Sequence, residues 1–205
     1  MDPNLHWHEV SVSTAEREQV HGHRGAVVWF TGLSAAGKST LAQALDRRLF
    51  ANGRHTFVLD GDNVRHGLCS DLGFSAADRH ENIRRIGETA RLMADAGIIA
   101  LSAFICPYRA DRENLRRVIG ADRFIEVYCR CPLEVCEQRD RKGVYRRARL
   151  GEIANFTGVS APYEEPIVPD LVLDTDSVPV EACITELMRT LDARNITFSR
   201  PPAST

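Results

Sequence analysis

The chain has 205 residues, 43% of them hydrophobic and 26% charged, with a formal net charge of −2. That length suits one domain with a substantial core and is short for two. The charge balance gives no sign of a nucleic-acid-binding surface, and the longest apolar stretch, about 98–106, is too short to span a bilayer.

Residues 1–24 read as a polar, His-rich leader in which Trp7, Val10 and Val12 are the apolar anchors. Residues 1–9 lack an apolar signal-peptide core, so a cytoplasmic location is expected. Two H-x-H pairs, His6-Trp7-His8 and His21-Gly22-His23, lack the cysteine or carboxylate spacing of a metal site. The leader is expected to pack on the domain or on a second subunit. The six cysteines form no C-x-x-C pair, which suits reduced, mostly buried thiols rather than a disulfide framework.

An apolar strand at 26–30 runs into Gly32-Leu33-Ser34-Ala35-Ala36-Gly37-Lys38-Ser39-Thr40, and a helical pattern opens near Lys38. Strand, G-x-x-x-x-G-K-S, helix is the context in which a phosphate-binding loop is meaningful. Its glycines let backbone N–H groups approach phosphate oxygens. Lys38 is expected to reach the β- and γ-phosphates of ATP, and Ser39 to coordinate Mg²⁺.

Leu41, Leu45 and Leu49 give the following helix an apolar stripe that stops at Asn52-Gly53. A second strand, 55–59, ends in Asp60-Gly61-Asp62-Asn63, whose carboxylates can hold Mg²⁺ or accept a hydroxyl proton. Spacing alone does not divide those two roles between Asp60 and Asp62. Asp78 is read as the cap of a long helix with Ile83, Ile86, Ala90 and Met93 on one face, closed by Gly97. A strand at 98–105 ends in Cys106-Pro107-Tyr108-Arg109. A helix at 111–119, a strand at 124–129 and a helix from Pro132 to about Arg141 follow. The run 139–149 holds six basic residues in eleven positions, either a mobile lid over phosphates or a solvated helix face. A short strand at 171–173 and a helix with Val180, Ile184, Leu187 and Leu191 inward complete the domain, and 197–205 reads as a loose tail.

Short apolar strands alternating with helices imply an α/β domain, a mostly parallel sheet with helices on both faces in a P-loop NTPase-type three-layer sandwich. The expected domain covers 25–196, with a lid at about 139–158. Ligands of such sheets sit off the carboxyl ends of the strands, so the phosphate loop, Asp60 with Asp62, and the segment from Cys106 to Arg109 should share one rim. No guanine-reading N-K-x-D sequence follows a strand; a small-molecule kinase acting on a hydroxyl is the better reading. The alternatives are a kinase for another small hydroxyl acceptor and a regulatory nucleotide-binding module without catalysis.

Several motifs then carry a resemblance. Phe30-Thr31-Gly32-Leu33-Ser34, Leu59-Asp60-Gly61-Asp62-Asn63-Val64-Arg65-His66-Gly67-Leu68, Gly73-Phe74-Ser75, Arg79, Glu81-Asn82-Ile83-Arg84-Arg85, Lys142-Gly143-x-Tyr145-x-x-Ala148-Arg149 and Asn155-Phe156-Thr157-Gly158 resemble the adenylylsulfate kinase family. The match runs in order from about Trp7 to Ile196. It implies transfer of the ATP γ-phosphoryl to the 3′-hydroxyl of adenosine 5′-phosphosulfate in sulfate assimilation, Mg²⁺ dependence and a homodimer. By position, Arg65, Phe74, Arg79 and Asn82 would bind the acceptor, with Ile105 and Cys106 beside it. Phe156 would stack on its adenine, and Lys142 would lie near acceptor and lid. Arg139 is counted with the ATP-binding residues. Asp62 is expected to orient or deprotonate the 3′-hydroxyl, with Asp60 supporting Mg²⁺. The family commonly carries a serine where this chain has Cys106, a serine proposed as a phosphorylated intermediate; here direct in-line transfer is expected, with Cys106 a small packing residue.

Overall fold

Alternate side chains of one central strand divide the core in two. β1 (Ala26–Thr31) is buried throughout; Ala26, Val28 and Phe30 point to one face of the sheet, Val27 and Trp29 to the other. In a computed structural model of the chain, which describes residues 4, 6, 8 and 10–197, β1 pairs in parallel with β3 (Ile99–Ala103) and with β4 (Phe124–Arg130), Val28 lying opposite Leu101 and Ile125. β2 (Thr56–Asp60) pairs outside β3 and β5 (Leu171–Asp174) outside β4, giving a five-stranded parallel sheet in the order β2-β3-β1-β4-β5.

Helices α2 (Lys38–Ala51) and α8 (Val180–Ala193) cover the first face through Leu41, Leu45 and Leu49 and through Ile184, Leu187 and Leu191. Helices α4 (Ala76–Asp95) and α5 (Arg109–Ile119) cover the second through Ile83, Ile86, Ala90, Leu115 and Ile119. The two pack closely because Gly87 has no side chain: a Cβ there would come within 2.3 Å of Leu115 Cδ2. The expected three-layer α/β architecture is the one observed.

Several local expectations change. Ser75, not Asp78, caps α4; its hydroxyl accepts from the Asp78 N–H while the Asp78 carboxylate reaches back, a reciprocal box. Val180 is exposed, and Cys183 takes the inward position on α8. The helix after Pro132 is only α6 (Leu133–Gln138). A second short helix, α7 (Val144–Arg149), follows because Gly143 turns the chain in the left-handed region at φ +66° and Asp140 takes up the N–H groups of Val144 and Tyr145. The leader contains helix α1 (Thr14–His21), with a capping box between Ser13 and Glu16. Trp7 and residues 198–205, most of the expected tail, lie outside the described residues.

The connections create the site. From β1 the chain passes through α2 to the β2 side of the sheet, and from β3 it crosses through α5 to the β4 side. Where the direction of winding changes, beside β1, a crevice opens at the carboxyl ends of the strands.

Candidate active site

The phosphate loop leaves β1 under tight steric control. Gly32 sits at φ +145°, and a Cβ there would lie 2.5 Å from the Cys129 carbonyl oxygen, so only glycine fits. Ala35 and Gly37 are both left-handed, at φ +59° and +88°; such turns gather successive N–H groups into an anion-binding concavity. Lys38 is nearly buried. Its Nζ donates to the Gly32 carbonyl at 3.0 Å and the Leu33 carbonyl at 2.5 Å. Burial pushes the ammonium pKa down, opposed by the neighbouring Cys129 and Cys136 thiols and the Asp60 and Asp62 carboxylates. Ser39 Oγ donates to Asp60 Oδ2 at 2.6 Å. A hydroxyl and a carboxylate held this close form the hard oxygen pair that suits Mg²⁺.

A cavity of about 930 Å³ opens over the strand ends and takes in most of the expected residues. From the loop come Ser34, Ala35, Gly37, Lys38, Ser39 and Thr40, whereas Gly32, Leu33 and Ala36 do not line it. Asp60 and Asp62 stand at the end of β2, where the Asp60 carboxylate also accepts from the Asp62 N–H at 3.0 Å and caps the short helix α3 (Gly61–Val64). Arg65, Phe74, Arg79, Asn82, Ile105 and Cys106 line the same cavity. The Arg65 guanidinium lies 4.3 Å from the centre of the Phe74 ring and donates to the carbonyls of Leu72 and Gly73. Asn82, 5% exposed, lines the cavity, and its buried Oδ1 has no hydrogen-bond partner among the described residues.

The basic run splits. Arg139, Arg141 and Lys142 line the cavity. Arg147 and Arg149 instead pair with Glu152 and Glu137 on the solvated side of α7, as residues of a solvated helix face do. Lys142 Nζ forms an ion pair with Asp62 Oδ2, both side chains about two-thirds exposed; the hydrogen bond to Asp62 raises the lysine pKa. An exposed pair of this kind is weak and opens at little cost. Of Arg79, Arg84 and Arg85, the last two are occupied by Glu81, and only Arg79 lines the cavity.

Phe156 stands apart from the other expected acceptor residues. It does not line the cavity among the described residues. Its ring meets Tyr145 edge to face at 5.0 Å and packs against the α2–α8 core, where ring–ring contact replaces exposure to the cleft. Sequence reasoning also missed Thr175. Its hydroxyl donates to the Ala36 carbonyl at 2.9 Å, its own carbonyl accepts from Arg139 at 3.0 Å, and it lines the cavity just past β5. The rule that selected the first three strand ends applies equally to β5 and would have found it.

Comparison with known proteins agrees with this geometry. The family model for adenylylsulphate kinase matches residues 24–174. A protein of Halalkalibacterium halodurans named as a probable adenylyl-sulfate kinase is 56% identical over 94% of this chain and 95% of its own length. An adenylyl-sulfate kinase of Oceanobacillus iheyensis is 54% identical over 92% of this chain and 94% of its own. Among solved structures, the Mycobacterium tuberculosis APS kinase CysC in complex with AMPPNP and APS is 47% identical, with a TM-score of 0.78, covering 83% of this chain and 99% of that one. With a five-stranded parallel sheet, a phosphate loop at its switch point and relatives above half identity over nearly full length, the chain belongs to the adenylylsulphate kinase family.

Proposed function

We propose a division of labour among the cavity residues for the reaction of an adenylyl-sulfate kinase, in which ATP gives its γ-phosphoryl to the 3′-hydroxyl of adenosine 5′-phosphosulfate. The products are 3′-phosphoadenosine 5′-phosphosulfate and ADP. One observation carries the assignment: Asp60 and Asp62, on a single turn, face different halves of the cavity, Asp60 bonded to Ser39 of the donor loop and Asp62 paired with Lys142 of the lid segment.

In this reading the donor loop holds the triphosphate. Lys38 leaves the Gly32 and Leu33 carbonyls to meet the β- and γ-phosphates, and Arg139 flanks the donor nucleotide. Ser39 and Asp60 would hold Mg²⁺, which neutralises phosphate charge when bound. Arg65, Phe74, Arg79 and Asn82 bind the acceptor, and the Asn82 oxygen gains its missing donor there. Asp62 exchanges Lys142 for the 3′-hydroxyl, orienting it and accepting its proton. Lys142, once released, is free to meet charge developing on the transferred group. Phe156 stacks on the acceptor adenine with a ring face while it keeps its edge-to-face contact with Tyr145. A homodimer accompanies this reading as an implication of the resemblance. No helix among the described residues is long and apolar enough to cross a membrane, and a cytoplasmic site of action is part of the proposal.

The test is ADP release with adenosine 5′-phosphosulfate against a panel of sugar-acid and nucleoside acceptors, with Asp62→Asn beside the unaltered chain. The phosphosulfate should be strongly preferred, and Asp62→Asn should lose about 10²- to 10⁴-fold in kcat, the usual weight of general-base catalysis. Preference for another acceptor, or an Asp62→Asn variant near full activity, would reject the assignment.

A further inference from the structure

Tyr145 has no role in the scheme above, yet it touches both halves of the site. It sits on α7, 2% exposed, and its hydroxyl donates to the backbone carbonyl of Ser34 in the phosphate loop at 2.9 Å. The edge of the same ring contact is Phe156, 5.0 Å away between ring centres. Asp140 fixes where the tyrosine stands, accepting the Tyr145 N–H at 2.7 Å and the Val144 N–H at 3.0 Å. A buried phenol needs a partner for its hydroxyl; phenylalanine would fill the same space without reaching the loop.

The turn 155–158 that carries Phe156 is gripped from two sides. On the donor side, Leu33 of the phosphate loop lies so close to Gly158 that a Cβ there would come within 2.9 Å of Leu33 Cδ2. On the acceptor side, Arg79 donates to the Asn155 carbonyl at 2.9 Å and to Thr157 Oγ1 at 3.3 Å. Between the loop that holds the donor and the arginine assigned to the acceptor there is therefore a continuous set of contacts, and the Tyr145 hydroxyl is its polar joint.

We propose that Tyr145 is a positioning residue for the acceptor: its hydroxyl registers the 155–158 turn, with Phe156 and the Arg79 contacts, against the phosphate loop, so that donor-loop geometry sets acceptor affinity. The inference rests on the donor and acceptor assignments made above. Burial pushes the phenol pKa well above its ordinary value, so the hydroxyl remains a donor throughout the neutral range and the effect does not vary with pH there.

The experiment is Tyr145→Phe in the full chain, with KM for each substrate, kcat and the melting temperature measured together. Removing one neutral hydrogen bond should raise the acceptor KM about 2- to 10-fold, leave the donor KM within about twofold and lower the melting temperature by no more than about 5 °C. Phe156→Leu should raise the acceptor KM too, and the double variant should show less than the product of the two effects, because both act through one turn. An unchanged acceptor KM overturns the proposal. So does an equal rise in both KM values with a melting temperature more than about 5 °C lower, or a double variant whose effects simply multiply. If the unaltered chain phosphorylates another hydroxyl compound and not adenosine 5′-phosphosulfate, the acceptor assignment fails separately, and the Tyr145→Phe split is scored on the compound that is turned over.

Discussion

Cys106 shows how much a single residue can mean beyond its side chain. It is a non-glycine residue at φ +43°, a left-handed conformation that ordinarily costs of order 1 kcal/mol or more. Its surroundings secure the backbone: Arg112 donates to the Cys106 carbonyl at 2.6 Å, and the buried guanidinium is balanced by Glu126 at 2.8 Å. The thiol itself is 1% exposed, and burial drives its pKa far above the ordinary range, so no thiolate forms near neutrality to attack a phosphoryl group. Cys106→Ala keeps the volume small and the turn intact, and should retain turnover within about tenfold, the scale of a lost packing contact of 1 kcal/mol or so. Abolished turnover with a normal melting temperature and normal ATP binding would show that the sulfur takes part in the chemistry. The position of Cys106 at a strand end was legible in the chain. Its conformation was not, because the groups that enforce it, Arg112 and Glu126, carry no local mark of that duty.

Among the elements, α1 was the one most open to discovery and was missed. Ser13-Thr14-Ala15-Glu16 is a capping-box sequence, but the helix buries no residue and lacks the apolar stripe by which helices are found. The neighbouring histidines, read as part of a packing leader rather than a metal site, join that leader to the body. His21 stacks on His55 at 4.4 Å and its Nδ1 lies 3.0 Å from the Gly97 carbonyl. His23 is fully buried; its Nε2 accepts from the His55 N–H at 2.9 Å, which puts the ring proton on Nδ1, 3.0 Å from the Arg24 carbonyl. Both nitrogens are satisfied by the neutral ring, and a second proton would face the His55 N–H. Burial first, then His21, Arg54 and His55, lowers the His23 pKa. An unfolded histidine titrates near 6.5, so below that pH the unfolded chain binds the extra proton. Stability is thus complete above about pH 6.5 and falls as pH drops through the lower folded value. Thermal melts should show a falling melting temperature between about pH 7 and 5. His23→Gln, which keeps an acceptor near Nε2 but does not titrate, should flatten that slope. An unchanged slope would assign the pH dependence elsewhere. Glu81, held down to about 2 by Arg84 and Arg85, belongs to a separate window below about pH 4.5.

For the molecule as a whole, architecture was legible because apolar strands alternate with helices, and the rim because three strand ends carry phosphate-loop, carboxylate and Cys-Pro-Tyr-Arg sequences. What stayed hidden depends on contacts between distant segments. Phe156 lies in a motif that the resemblance ties to the acceptor, yet it packs on Tyr145, and Thr175 joins the loop only because β5 lies beside β4. The same long-range closure makes a prediction about global stability. Lys38 rests on the carbonyls of its own loop, and the Asp62–Lys142 ion pair bridges the β2 end and the lid segment. A ligand that replaces these contacts binds the folded chain and not the unfolded one. At a concentration 100 times its Kd it stabilises by about 2.7 kcal/mol. With roughly 2–4 °C per kcal/mol for a chain near this length, a non-hydrolysable ATP analogue with Mg²⁺ should raise the melting temperature by roughly 5–10 °C. Omitting Mg²⁺ should shrink the shift if Ser39 and Asp60 hold it as proposed. Lys38→Met should remove most of it, since the variant offers no ammonium to the β- and γ-phosphates. Adenosine 5′-phosphosulfate added with the analogue should raise the melting temperature further if, as proposed, the two ligands occupy different halves of one cavity. A cooperative transition that does not move with the analogue, or that moves equally in Lys38→Met, would mean the nucleotide binds elsewhere than on the loop between β1 and α2.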